Sequence, residues 1–351
     1  SLALPDIQLL LEKILGYESV QLFEQRARLV QGNFSLTMEN ASSITQICHR
    51  LDGIPLAIEL AAARINLLSA EQIALRLDEN FNLLTGGSRT TLPRHQTLRA
   101  SIDWSWNLLS ELEQTLLRRL SIFSGGWTLD AAESVCAEND IEPQQVLDVM
   151  TQLVAKSLIG VNPESGREKR YHLLEMVRQY AHEKLEVGEE ENIRAQHLKY
   201  FLNLSEQIER ELVGPQQIEW YPRANDEHDN LRAALEQAGR TDVEAGLYIS
   251  GRLRNFWESF DNREGARWLA EFLQKPESKE YPLARARALC TQGWLLLWIQ
   301  QFDQAHSVAQ ECLVLFRACR DQHGEVDGLN LLGFLSISDG DKKVENYCRQ
   351  A

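Results

Sequence analysis

The sequence predicts a mainly α-helical chain: a small helical bundle, then three helices with a β-hairpin and a closing helix, then a stack of helical pairs. Three observations carry this reading. Apolar residues recur at i, i+3, i+4 and i+7 through most of the chain. One polar, turn-rich stretch, Asn162-Pro-Glu-Ser-Gly-Arg-Glu-Lys169, is flanked by short segments of strand character. Finally, Ala266, Ala305 and Val344 recur 39 residues apart. At 351 residues the chain is too long for one core, and two or three domains are expected.

Residues 1–16 read as a linker from an upstream domain, because Pro5 disfavours helix before it. The helical bundle spans 17–90. Val20, Phe23, Ala27 and Val30 share one helical face, and Ile44, Ile47, Cys48 and Leu51 share another. Gly53 tolerates the backbone that ends a helix, and Pro55 suits the first turn of the next. That next helix is apolar nearly all round up to Arg64, with Glu59 as its one interruption, so it should be buried. Ser69-x-x-Gln72 is a capping box for a helix carrying Ile73 and Leu77.

A second module spans 91–187. Thr97 is expected to cap its first helix, and Ser110-x-x-Glu113 forms a capping box before Leu112, Leu116 and Leu120. Thr128 caps a helix running through Cys136. Pro143 opens another with Val146, Leu147, Met150, Leu153 and Val154 inward. Segments 157–161 and 170–174 pair as a hairpin, and a helix over 175–185 closes a winged helix. Gly188-Glu-Glu-Glu191 reads as an acidic break leading into a helical connector, 188–240. Over 241–351 the period is near that of a tetratricopeptide repeat, with the last unit cut at Ala351.

A family resemblance rests on these same residues. Cys48–Ile65, with its Gly53-Ile54-Pro55 turn, resembles the Gly-x-Pro helix junction of STAND signalling ATPases, the class that includes NB-ARC regulators and large bacterial regulators with repeat sensors. Arg94-His-Gln-Thr-Leu-Arg99, Asp103-Trp-Ser105, Leu120-Ser-Ile-Phe-Ser-Gly-Gly-Trp127 and Tyr171–Ala181 resemble the winged-helix part of the bacterial members. The resemblance implies an adenine-side contact to ADP or ATP from Gly53, Ile54 and Pro55. Arg94, Arg99 and Glu175 are then candidates for a phosphate-side or interdomain role. Many relatives carry Met-His-Asp where this chain has Leu173, Leu174 and Glu175, so the histidine's phosphate contact is not carried over.

Further partners implied are an upstream P-loop NTPase domain, a protein or small-molecule ligand on the repeat surface, and a homo-oligomer. The chain itself has no Gly-x-x-x-x-Gly-Lys-Ser/Thr, so it should hydrolyse nothing alone and bind nucleotide only with that domain. No cluster of ligating residues points to a metal, and no paired catalytic residues to an enzyme.

The net charge of −15 argues against nucleic acid as the main partner. Residues 91–187 hold ten Lys or Arg against fourteen Asp or Glu, which opposes DNA binding by the winged helix. A winged-helix transcription regulator and a nucleotide-independent repeat scaffold are the alternatives. The six cysteines are scattered and read as reduced thiols of a cytoplasmic protein; no segment has the length and apolarity of a membrane span.

Overall fold

A computed structural model describes residues 2–3, 14, 16–51, 53–84, 93–138, 140–162 and 168–339, with the side chains of 78–84, 93–97 and 338–339 left outside the description. Val344, Cys348 and the Gly86–Arg89 run also lie outside it. The chain is mostly helical with one small sheet, and it forms two compact units: residues 1–122 with 127–187, and residues 123–126 with 188–351.

The first unit begins with α1 (Glu18–Val30), α2 (Ala41–Arg50), α3 (Pro55–Ala62) and α4 (Ala70–Leu84). Here α1 packs on α3, and α2 on α4. Phe23, Ile44, Ile47, Cys48, Leu51, Ile58, Ile73 and Leu77 are fully buried, as their helical spacing requires. The α4 capping box is formed in both directions: Ser69 N–H donates to Gln72 Oε1 at 3.0 Å, and Gln72 N–H to Ser69 Oγ at 3.3 Å. The expected linker is not free at its described positions, because Ile14 sits in this core at 5% exposure and Leu2 packs against it.

Next come α5 (Pro93–Asn107), α6 (Glu111–Leu120), α7 (Leu129–Cys136), α8 (Pro143–Ala155) and α9 (Glu175–His182). Helix α5 starts at Pro93, so Thr97 lies inside it and not at its N-cap position; proline itself is preorganised for a first turn. Ser110 and Glu113 cap α6 reciprocally, and the Thr128 hydroxyl accepts from Ala131 N–H to cap α7. Two apolar assignments are corrected. Leu112 and Leu147 are 39% and 42% exposed: the i, i+4, i+8 row that begins at Leu112 drifts across the helix face, and Leu147 lies about 100° round the helix from buried Val146; Leu117 and Val149 point inward instead.

The hairpin is β2 (Gly160–Asn162) against β3 (Arg170–His172). A third strand, β1 (Trp127–Thr128), adds to the free edge of β3, giving the order β1-β3-β2, all antiparallel, with Trp127 opposite Tyr171 and Thr128 opposite Arg170.

In the second unit the acidic stretch at 188–191 is no break. It lies in the first turn of α10 (Val187–Leu212), where Glu189 and Glu190 face the positive end of the helix dipole and Arg194 bonds back to Glu190 at 2.8 Å. After α11 (Gln217–Asp226) and α12 (His228–Thr241) come α13 (Val243–Arg252), α14 (Arg254–Phe260), α15 (Asn262–Gln274), α16 (Pro282–Trp298), α17 (Phe302–Cys319) and α18 (Gln322–Asp339). First helices of successive pairs start at Val243, Pro282 and Gln322, and second helices at Asn262 and Phe302.

The repeated small residues set this spacing. Ala266 and Ala305 are buried, and a Cβ on Gly265 would stand 2.4 Å from Trp257 Cγ. Trp104, Trp106, Trp127, Trp257, Trp268 and Trp294 are core residues as expected, whereas Trp298 is 58% exposed.

Residues 123–126 are held in this unit by Asn230, which is fully buried. Its Oδ1 accepts from Ser124 N–H at 2.8 Å; its Nδ2 donates to Gly126 O at 2.7 Å and to Glu227 Oε2 at 2.8 Å. His197 lies beside it between the rings of Phe123 and Phe201, with centroids at 5.5 and 4.5 Å. No described helix is long and apolar enough to cross a membrane.

Candidate functional site

The turn between α2 and α3 is built by Gly53. Its φ of +64° reverses the chain, its N–H donates to Cys48 O at 3.1 Å, and Ile54 N–H donates to Leu51 O at 2.9 Å. The main chain that Gly53 admits is the protein's own. Leu2 N–H donates to Gly53 O at 2.8 Å, and a Cβ on Gly53 would come within 2.5 Å of Leu2 O. Ser19 Oγ donates to Ala3 O at 2.6 Å and fixes the same segment from α1. Cys48 lies beneath, its thiol pushed up to about 12 by burial, with the Ser19 hydroxyl opposing. Of the three residues singled out here, Gly53 is buried, Ile54 half-buried and Pro55 exposed on the first turn of α3.

Two residues beyond α3 stands Arg64, fully buried, a residue that sequence reasoning passed over as the end of an apolar run. Its Nη2 donates to Ser105 O at 3.2 Å, within the last turn of α5, where a cation meets the helix's unpaired carbonyls. Arg64 Nε and Nη1 and the Ser101 and Ser105 hydroxyls have no partner among the described residues. Burial pulls the guanidinium down to about 10, with the Glu113 carboxylate opposing.

The Asp103-Trp104-Ser105 motif is the hub of this region. Asp103 Oδ1 accepts from Tyr180 Oη at 2.5 Å, Trp104 enters the core of α1–α4, and Ser105 holds Arg64. Burial, then Asp103, raises the Tyr180 phenol, whose ring meets Trp106 edge-on at 5.8 Å.

The other candidates do not converge on Pro55 in the contacts they make. Arg99 Nη2 donates to Glu183 Oε2 at 2.5 Å, an ion pair between α5 and the end of α9. Glu175 accepts from Arg178 and Gln179 on its own helix, and the Arg178 bond holds its carboxyl below the usual range. Leu174 is exposed at the start of α9. The Arg94 side chain lies outside the described residues.

In α6–α8 with β1–β3, α8 is the helix that a DNA-reading winged helix offers to the major groove. Its exposed side chains are Pro143, Gln144, Gln145, Leu147, Asp148, Thr151, Gln152 and Ala155, with no Lys or Arg among them.

The arrangement defines a winged helix followed by helical pairs, and a winged helix-turn-helix domain profile matches residues 109–186. A Mycobacterium tuberculosis protein named as an HTH-type transcriptional regulator is 39% identical over 325 residues, 90% of this chain and 37% of that protein. A second M. tuberculosis protein, uncharacterized, is 43% identical over 188 residues, 53% of this chain and 48% of its own length. The chain thus spans between a third and a half of the curated relatives it matches. Among solved structures, the chain aligns with a STAND protein with a tetratricopeptide repeat sensor from Pyrococcus horikoshii, at a TM-score of 0.38 and 17% identity, covering 93% of this chain and 52% of that one.

Proposed function

We propose that this chain is the regulatory and sensor portion of a STAND-type signalling protein switched between ADP- and ATP-bound states, with transcription or a similar output under its control. The observation that best supports this reading is the exposed ring of Pro55 on a helix whose other residues are buried or half-buried, reached through a left-handed glycine. It stands in one chain with a winged helix and stacked helical pairs, and a relative named as a regulator matches 90% of this chain.

In this mechanism an upstream P-loop domain binds the nucleotide, and Gly53-Ile54-Pro55 supplies the adenine side. ADP holds the domains closed, and a ligand on the helical pairs favours an open form that exchanges ATP and self-associates. Such a ligand must bind the open form more tightly; a shift from 1:99 to 99:1 takes about 10⁴-fold preference.

In the protein joined to its nucleotide-binding domain, Pro55→Ala should weaken ADP retention about tenfold, the size of losing one apolar face against a bound ring. Unchanged ADP affinity would remove Pro55 from the site.

A second reading, DNA binding through α8 and the wing, is favoured by the family match and by the relatives' name. The base-free face of α8 speaks against it. An electrophoretic shift of random-sequence duplex by the whole chain at low salt decides: the STAND reading expects none, and a salt-sensitive shift lost on neutralising Lys169 and Arg170 supports DNA binding.

A further inference from the structure

The second unit contains an open groove of about 410 Å³ lined by α15, α16, the turn after it and the start of α17. Ala266, Ala270, Leu296 and Ile299 form its apolar lining, Arg263 and Arg267 enter it from α15, and Gln292, Gln301 and Gln304 from α16, the turn after it and α17. We infer that this groove binds an extended acidic peptide segment of a partner protein, with two carboxylate side chains spaced i, i+2 on the two arginines.

The charge argument comes from the arginines of four neighbouring helices. Every arginine of α13, α14, α16 and α17 has a carboxylate within the unit: Arg252 with Glu206, Arg254 with Glu258, Arg285 with Glu311, Arg287 with Asp321, and Arg317 with Glu325. Arg263 and Arg267, one turn apart on α15, have none among the described residues, in a chain of net charge −15. The one contact recorded for the Arg267 guanidinium is the neighbouring Trp268 ring at 5.4 Å. Both side chains are exposed, so their charges are available to a ligand.

Spacing selects the ligand class. Arginines at i and i+4 on a helix stand about 6 Å apart, and alternate side chains of an extended strand about 6.6 Å apart. An acid-x-acid segment therefore presents its carboxylates at the arginine spacing. The three glutamine amides, each donor and acceptor, suit the main-chain groups of such a strand, and none has a recorded side-chain partner. The apolar lining then takes an aliphatic side chain beside the acids. A small free anion would use the arginines and leave the glutamines and the apolar lining idle.

The inference rests on the sensor reading of the helical pairs, but its test does not. A phage-displayed random dodecapeptide library is selected on the whole chain, and the enriched peptides are measured by fluorescence anisotropy. The expected result is enrichment of acid-x-acid sequences with a flanking aliphatic residue, and at least about tenfold weaker binding to the Arg263→Glu/Arg267→Glu double variant. Selection of neutral or basic peptides, no selection, or equal binding to the variant overturns it. Displacement by citrate, at chloride-matched ionic strength, at concentrations below those of the acidic peptide marks a small-anion site and overturns it as well. Both arginines are exposed, so melting should be unchanged; if charge reversal shifts it, Arg263→Gln/Arg267→Gln replaces that variant. Failure here leaves ADP retention and its Pro55 dependence untouched, and loss of nucleotide dependence leaves peptide binding untouched.

Discussion

Arg64→Ala is expected to destabilise the first unit by about 3 kcal/mol, while Arg64→Met stays within about 1 kcal/mol of the parent. The side chain is fully buried, yet one of its nitrogens, Nη2, is recorded with a bond, to Ser105 O. Nε and Nη1 have no partner among the described residues, and burial draws the pKa to about 10. What the residue contributes is therefore hydrocarbon packing plus one charge-assisted bond to a helix end, set against the cost of a buried cation. Alanine loses the first two and leaves a cavity. Methionine refills most of the volume and removes the cost. Urea unfolding midpoints of the two variants against the parent test this. A methionine variant that falls as far as alanine would show that the charge itself, not the packing, holds α5 to the turn after α3.

Much of the fold is written locally, and the local signals read true. Ser69 with Gln72 and Ser110 with Glu113 lie three residues apart, so each capping box is complete within one turn of chain. Gly53 and Pro55 likewise act on their own backbone. Thr97 is not the N-cap position because a stronger local signal, Pro93, starts the helix a turn earlier. The rest depends on partners far away in sequence. Strand β1 is two residues long and exists only by pairing with Arg170 and Tyr171, so no alternation could announce it. Asn230 looks like any polar residue on an amphipathic helix until Ser124 and Gly126 arrive from over a hundred positions earlier.

The candidate sites divide the same way. Gly53 and Pro55 were legible as a helix stop and a helix start, and Pro55 is exposed on that first turn. Arg64 ended an apolar run and was read as its boundary, because nothing nearby in sequence reveals the carbonyl of Ser105. Arg263 and Arg267 are visible as two bases one turn apart, but what distinguishes them is that they line a groove and face no carboxylate there, a property of α16 and α17 packing.

Acid should weaken the second unit in two adjoining windows, the upper one carried by His197. Burial, together with the Arg194 charge, depresses the folded-state value of His197 from 6.5 to about 4, although an Asn230 bond opposes the shift. A depressed histidine adds stability that is fully present above the unfolded value and is lost as pH falls toward the folded one. The loss therefore runs from about pH 6.5 down to 4 and amounts to about 3 kcal/mol. Its physical content is that protonation would place a cation between Phe123 and Phe201, beside the amide that holds residues 123–126.

The lower window belongs to Glu264. The Arg232 bond, at 2.6 Å to each oxygen, outweighs burial and brings its carboxyl from 4.5 to about 2. Its stabilising effect is present above pH 4.5 and lost as pH falls toward 2. Burial raises Glu209 and Asp327 instead, and these partly offset Glu264 in the carboxylate range. The test is therefore a difference: unfolding midpoints of the parent and of His197→Leu, measured from pH 7.5 to 3.5. The leucine variant should lose the slope between 6.5 and 4 and keep the one below. Parallel profiles across the upper window would mean that His197 is not the group that makes the loop at 123–126 sensitive to acid.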